Sequence, residues 1–173
     1  MSDLSYSKSG VNIDEGNRFI TIIKKMVEST HNKSVIGGLG GFAGFYDISS
    51  FKDMAEPVLV SATDGVGTKL KVAIDAKIYD SVGIDLVAMS VNDLIVTGAR
   101  PLFLLGYSAS GSLAPEVMSN VVKGIAYGCK QAECAPLGGD TAEMPGMYAA
   151  GAFDLAGVAV GIVDKAKSVV GRR

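Results

Sequence analysis

The sequence predicts an α/β or α+β domain: a four-stranded mixed sheet flanked by helices. Three observations carry that expectation. Four short apolar runs, at 57–64, 101–108, 134–140 and 153–163, have the length and content of strands. Helical stripes separate most of them, giving the order α, β, α, α, β, α, β, β. The chain also holds 22 glycines in 173 residues, nearly double the usual share of about 7%. They cluster at 37–44, 65–67, 106–111, 138–139 and 146–161, mostly beside the strand-like runs, where they shape loops.

Taken in order, residues 1–16 are rich in Ser, Asp and Gly and read as a flexible arm. Residues 17–173 read as one domain. Phe19, Ile22, Ile23 and Met26 sit at i, i+3, i+4 and i+7, which predicts a helix over 17–29. A glycine loop follows. "PVLVSATD" is a short buried strand that runs into "GVGTKL", and a helix begins near Lys69 with Leu70, Ala73 and Ile74 on one face. Ile84, Val87, Ala88, Val91 and Ile95 predict a long helix over 81–98. "PLFLLGYS" is the second strand. Pro115 and Glu116 suit the first turn of a helix that reaches about 131 through Val117, Val121 and Ile125. "CAPLGGD" is the third strand, and "FDLAGVAVGIV" the fourth. The fourth is apolar on both alternating faces, so both are expected to be covered. No linker is visible, and no second domain is expected after "DKAKSVVGRR".

The bulk numbers narrow the class. Hydrophobic residues are 48% and charged residues 20%, the balance of a soluble globular protein. A net charge of −2 and a pI of about 5.4 argue against a nucleic-acid partner, which calls for a basic patch or stripe. No apolar run is long enough to span a bilayer, and no signal-peptide pattern is present, so no membrane partner is expected. Cys129 and Cys134 are five apart, which fits neither a CxxC metal pair nor a disulfide framework. They read as reduced thiols at a helix end and a strand start, in a cytoplasmic protein.

The candidate site residues lie on the glycine turns. Gly38, Gly40 and Ala43 satisfy G-x-G-x-x-[GA], and Asp64 follows about 20 residues on, as in a dinucleotide fingerprint. The context fails that reading. Only Val35 and Ile36 precede the loop, and no capped helix opens inside it. The order GTK at Gly67–Lys69 fails the P-loop as well. A mobile loop without a ligand is the plain alternative. In "SATDGVGTKL", Asp64 ends a strand, Gly65 and Gly67 bend the chain, and Lys69 follows. A carboxylate for Mg²⁺ and an ammonium for phosphate on one turn suit a nucleoside triphosphate, and a solvated turn is the alternative. The 81–98 helix is apolar nearly all round, yet it carries Asp85, Asn92 and Asp93. Carboxylates on such a helix need a partner. Capping or an internal salt bridge accounts for Asp85, whereas Asn92 and Asp93 in mid-helix point to function. "GGDTAEMPGMY" places Asp140 and Glu143 straight after a strand, as site carboxylates or as a capping pair. His31 stands alone among polar residues and reads as solvated.

The strings "GVNIDEGN", "GGLGGFAG", "TDGVGTKLKVA", "GIDLVAMSVNDL", "GGDTAEMPGMY" and "DLAGVAVGIV" cover nearly the whole chain in one order. With them the sequence resembles the phosphoribosylformylglycinamidine cyclo-ligases, or aminoimidazole ribonucleotide synthetases, over their N-terminal domain only. The resemblance implies a homodimer in which the sheets of two subunits close a barrel, with ATP and Mg²⁺ against it. It implies an activity in purine biosynthesis on a small ribonucleotide substrate, formylglycinamidine ribonucleotide. Its formyl oxygen is activated by phosphoryl transfer, a ring nitrogen attacks, and the imidazole closes. The family's C-terminal domain is absent, so the fragment alone is expected to be inactive, and a non-catalytic dimerisation or nucleotide-binding module is the alternative.

Residue by residue, the resemblance implies a glycine flap over the ATP phosphates at Gly37, Gly38, Gly40 and Gly41. Gly65, Gly67, Thr68, Lys69, Asn92, Gly139 and Thr141 complete the phosphate contacts. It gives Asp64, Asp93 and Asp140 as metal ligands, and Lys69, Asp93 and Glu143 as catalytic residues. The sequence departs from the family pattern at two positions: Asp140 stands where Glu is usual, and Gly106 where an Asp usually precedes the tyrosine at Tyr107.

Overall fold

Asn12 sets the start of the first helix. In the computed structural model, which describes residues 11–41 and 43–171, α1 spans Ile13–Glu28. The Asn12 side chain accepts hydrogen bonds from the backbone N–H groups of Asp14 and Glu15, and both acids lie in the first turn. A side-chain cap and first-turn carboxylates satisfy the free N–H groups and the helix dipole. The helix therefore starts at Ile13 rather than at position 17, and residues 13–16 of the expected arm are helical. The rest of that arm, residues 1–10, lies outside the described residues.

Two strands of two residues follow, β1 (Val35–Ile36) and β2 (Phe45–Tyr46), paired antiparallel around the glycine loop. Such short strands have no periodicity, and the sequence did not point to them. Then come β3 (Pro57–Gly65), α2 (Lys69–Ala76), α3 (Asp80–Ile95), β4 (Arg100–Ser110), α4 (Pro115–Gln131), β5 (Ala135–Glu143) and β6 (Phe153–Asp164). Helix α3 stops at Ile95 rather than near 98. Gly98 takes φ +83, and the Ala99 N–H turns back to the Leu94 carbonyl. The other main elements fall where the apolar runs and stripes predict, within a few residues.

The main sheet has the order β3-β6-β4-β5. β6 pairs antiparallel with β3 and β4, and β4 pairs parallel with β5 across α4, so the sheet is mixed, as expected. Alternation decides its faces. Phe153, Leu155, Ala159 and Val163 of β6 are buried beneath the helices, in two clusters that also hold Leu86, Val87, Val91 and Leu94 of α3. The opposite face is covered only in part: Tyr46 packs on Phe103 with ring centroids 5.6 Å apart, and Ile162 is buried. There Leu59 is 63% exposed, Tyr107 40% and Val158 38%. The full cover expected for β6 is thus supplied on the helix side and only in part on the other, where Ile162 is buried and Val158 is not.

The two helices over the sheet cross at a pair of glycines. A methyl group on Gly83 would lie 2.1 Å from the Val121 carbonyl oxygen, and one on Gly124 would lie 1.9 Å from that of Asp80. Glycine at both positions lets the backbones of α3 and α4 touch.

Candidate functional site

All the expected site residues on strands lie at one end of the sheet, where β3, β4 and β5 finish. They fall into two groups. The first is on the β3 edge. Asp64 is the eighth residue of β3, half-buried on the helix-facing side, and its Oδ1 accepts the Gly65 N–H at 2.8 Å. Gly65 ends the strand, and Gly67 turns the chain with φ +69. Thr68 precedes α2 without a side-chain cap, and the Leu70 and Lys71 N–H groups donate instead to the Gly67 and Thr68 carbonyls, each at 3.1 Å. Lys69 opens α2. Its Nζ lies 2.8 Å from Asp85 Oδ2 and 3.6 Å from Met89 Sδ, both on α3. Asp85 is thus the partner of Lys69, in an ion pair with side chains 53% and 43% exposed. Pairs so exposed contribute about 0–1 kcal/mol, so the lysine is held in place but not locked there. Asn92 and Asp93, farther along α3, are exposed.

The second group is on the β5 edge. Gly139, Asp140 and Thr141 line a cavity of about 110 Å³ between the sheet, α1 and α4. Its walls are apolar, with Phe19, Ile23 and Ile125 among them, and Gly106 and Tyr107 lie at its β4 side. Leu39, from the glycine loop, closes over it, which places the loop at the cavity mouth. Gly37 and Gly40 turn that loop with φ +88 and +111, and Gly38 and Gly41 stand between and after them. Asp140 is exposed, and its Oδ1 accepts the Thr141 N–H at 2.9 Å. A Cβ on Gly106 would meet no atom within 4 Å, so the smallest side chain is not a steric requirement there.

The expected metal set is not assembled. In register, Asp64 of β3 faces Gly157, Gly157 faces Gly106, and Gly106 faces Gly139. Three strand spacings, roughly 14 Å, therefore separate the row of Asp64 from the β5 edge. Asp140 is one residue beyond Gly139, so its side chain points to the other face. Carboxylates suit a hard cation such as Mg²⁺. Yet among the described residues no three His, Cys, Asp or Glu side chains gather to hold a metal ion. The sequence indicates which residues end strands but not which strands are neighbours, and the sheet order sets Asp64 and Asp140 at opposite edges.

Glu143 stands at the end of β5. Its Oε2 accepts the Asn12 N–H at 2.7 Å and its Oε1 accepts the Leu113 N–H at 2.8 Å. Both oxygens bind backbone, so the carboxylate ties the start of α1 and the loop before α4 to the end of β5. Asn12 and Leu113 were not legible as its partners, because backbone donors leave no mark in sequence. His31, read as solvated, instead places Nε2 3.2 Å from the Pro136 carbonyl oxygen.

Comparison with known proteins follows the same outline. Residues 43–163 match the family model described as AIR synthase related protein, N-terminal domain. A phosphoribosylformylglycinamidine cyclo-ligase of Magnetococcus marinus is 57% identical over 171 residues, which cover 99% of this chain and 48% of the relative. One of Finegoldia magna is 55% identical over 168 residues, 97% of this chain and 49% of the relative. The chain thus spans about half the length of the relatives it matches. Among solved structures, thiamine-monophosphate kinase of Stenotrophomonas maltophilia superposes with a TM-score of 0.66 at 20% identity, over 86% of this chain and 43% of that one. The hydrogenase maturation protein HypE in complex with ATP gives 0.57 at 18% identity, over 91% of this chain and 43% of that one. At such identities the structures report a shared fold. The match across more than half of the sequence, together with the cyclo-ligase relatives, shows that the chain belongs to the AIR synthase related proteins and carries their N-terminal domain.

Proposed function

We propose that this domain is the nucleotide-handling half of an ATP-dependent cyclo-ligase of purine biosynthesis. The whole enzyme would convert formylglycinamidine ribonucleotide to aminoimidazole ribonucleotide with release of ADP and phosphate. The observation that carries this is 57% identity to a cyclo-ligase across 99% of the chain. The local chemistry supports a phosphate-bearing ligand on the β3 edge. There Lys69 opens α2 directly after the Gly65–Gly67 turn, and its ammonium is exposed enough to meet a phosphate. In this reading Lys69 would leave Asp85 for a phosphate, and Asp64 and Asp93 would help hold the Mg²⁺ that neutralises charge on ATP. Among the described residues no third carboxylate, histidine or cysteine joins them. Asn92, Gly65, Gly67 and Thr68 shape the same turn. Gly139 and Thr141, with the loop of Gly37, Gly38, Gly40 and Gly41, would form the second half of the site around the cavity.

The exposed part of the sheet face opposite the helices is the proposed dimer surface. Two such faces closing on each other would cover Leu59, Tyr107 and Val158 and complete a barrel. The enzyme is proposed to work in the cytoplasm, in keeping with the free thiols of Cys129 and Cys134.

The test is titration of the purified domain with ATP and Mg²⁺ in a calorimeter. Saturable heat is expected, and Lys69→Ala and Asp64→Asn are expected to weaken it at least tenfold with an unchanged circular dichroism spectrum. No heat at millimolar nucleotide would sink the reading for this domain. A second reading, a dimerisation or nucleotide-binding module without turnover, is favoured by the two backbone bonds of Glu143. Steady formation of aminoimidazole ribonucleotide by this chain alone would exclude it.

A further inference from the structure

Cys129 and Cys134 are the two cysteines of the chain, and the site above uses neither. Both are free, and they are 0% and 2% exposed. Helix α4 ends between them. The Cys134 N–H donates to the Cys129 carbonyl at 3.0 Å, and the Glu133 N–H donates to the Lys130 carbonyl at 3.4 Å. Glu133 takes φ +52. These two bonds around a left-handed residue make a Schellman turn, in which the side chains of the two outer positions meet. Here the side chains that meet are both thiols. Contact with Cys134, reinforced by burial, pushes the Cys129 thiol up, and contact with Cys129 holds the Cys134 thiol down. A disulfide needs Cα atoms about 4.4–6.8 Å apart with facing Cβ bonds. A direct backbone hydrogen bond across a tight turn brings two residues within that reach.

We propose that Cys129 and Cys134 form an oxidation site, converted by a peroxide into an intrachain disulfide that locks the end of α4 to the start of β5. The Cys134 thiolate attacks one peroxide oxygen and the O–O bond breaks, giving a sulfenic acid and, after protonation of the leaving hydroxide, water. The Cys129 sulfur, losing its proton, then attacks the Cys134 sulfur and displaces the hydroxyl as a second water. Two thiols are oxidised and one peroxide is reduced. Access comes from opening of the turn. Its hinge residue, Glu133, is exposed and sits in a conformation that favours glycine, so this helix end opens more readily than a glycine-capped one. A peroxide is small enough to enter through such an opening.

The experiment exposes the 173-residue protein to hydrogen peroxide, quenches with acid, unfolds it and alkylates the remaining thiols. The expected product is lighter by two hydrogens, takes up no alkylating agent, runs as a single chain without reductant and returns to two free thiols with dithiothreitol. In Cys129→Ser, dimedone is expected to trap a sulfenic acid at position 134. Glu133→Gly is expected to slow oxidation severalfold with the same end product. Two alkylated cysteines after peroxide, a sulfinic acid, or cross-links between chains would each overturn the site. An unchanged rate in Glu133→Gly would overturn the opening route.

Discussion

Glu133 and Lys77 hold a position that glycine holds at the end of α3. All three helix ends turn through a left-handed residue, with φ +52 at Glu133, +56 at Lys77 and +83 at Gly98. A residue with a Cβ is disfavoured there by roughly 1–2 kcal/mol, partly offset by the extra freedom that glycine gives the unfolded chain. Glu133→Gly is therefore expected to stabilise the domain by about 1 kcal/mol, read as a higher urea midpoint at unchanged slope. Glu143 is the converse case. Its carboxylate holds two backbone N–H groups, and hydrogen bonds to charged groups contribute about 1.5–3 kcal/mol each when shielded from water. One of the two bonds is at the surface, so Glu143→Ala should lower stability by about 2 kcal/mol in thermal unfolding. A third residue gives a pH dependence. The Glu116 carboxyl is held below its usual 4.5 first by its own backbone N–H and then by Arg18. A depressed folded value means that the stabilisation is present above the ordinary carboxylate pKa and is lost as pH falls through the lower one. The slope of Tm below about pH 4.5 is thus expected to flatten in Glu116→Gln.

At the scale of elements, the α3–α4 crossing is the contact most sensitive to a single methyl group. Gly124→Ala would force a carbon to 1.9 Å from the Asp80 carbonyl oxygen, which only a shift of the helices relieves. Overpacking of this kind costs about 1–3 kcal/mol, and a backbone neighbour puts it at the upper end. Gly106→Ala, with open space around it, should be neutral or stabilising in the same assay, so the pair separates packing from strand propensity. The strands and helices were legible because each carries a continuous apolar run or stripe: Leu155, Ala159 and Val163 share one face of β6, and Val87 and Val91 of the expected α3 stripe are buried, although Ala88 and Ile95 of the same stripe are exposed and Leu86 and Leu94 take their place. The α1 start was misread because its cap is one side chain, Asn12, within a polar stretch. The β1–β2 hairpin was invisible because two residues cannot show a period.

For the whole molecule, the exposed part of that sheet face leads to a test of assembly. Leu59, Val158, Leu105 and Tyr107 expose apolar surface beyond what isolated side chains on a monomer require. Light scattering is expected to give twice the 17.8 kDa chain mass at micromolar concentration, and Val158→Glu, which places a charge in mid-sheet, is expected to return it to one. A monomeric parent protein would remove the barrel from the proposal. The candidate site was legible residue by residue but not as a whole. Asp64, Lys69, Asp140 and Thr141 lie at one end of the sheet, as their places after apolar runs imply. Their separation across the sheet follows from strand order, which no local pattern encodes.

That order also bears on how the domain is made. β6, the last of the four main-sheet strands to be synthesised, is the strand that joins β3 to β4. Until Phe153–Asp164 has emerged, β3 has no strand partner in the main sheet, and only α3 is available to cover Val58 and Val60. Helix pairs can form early, but the sheet closes last, through contacts between distant parts of the sequence, a topology associated with slow folding. A nascent chain stalled before β6 would be a half-built sheet with open edges, the species that chaperones and proteases meet first.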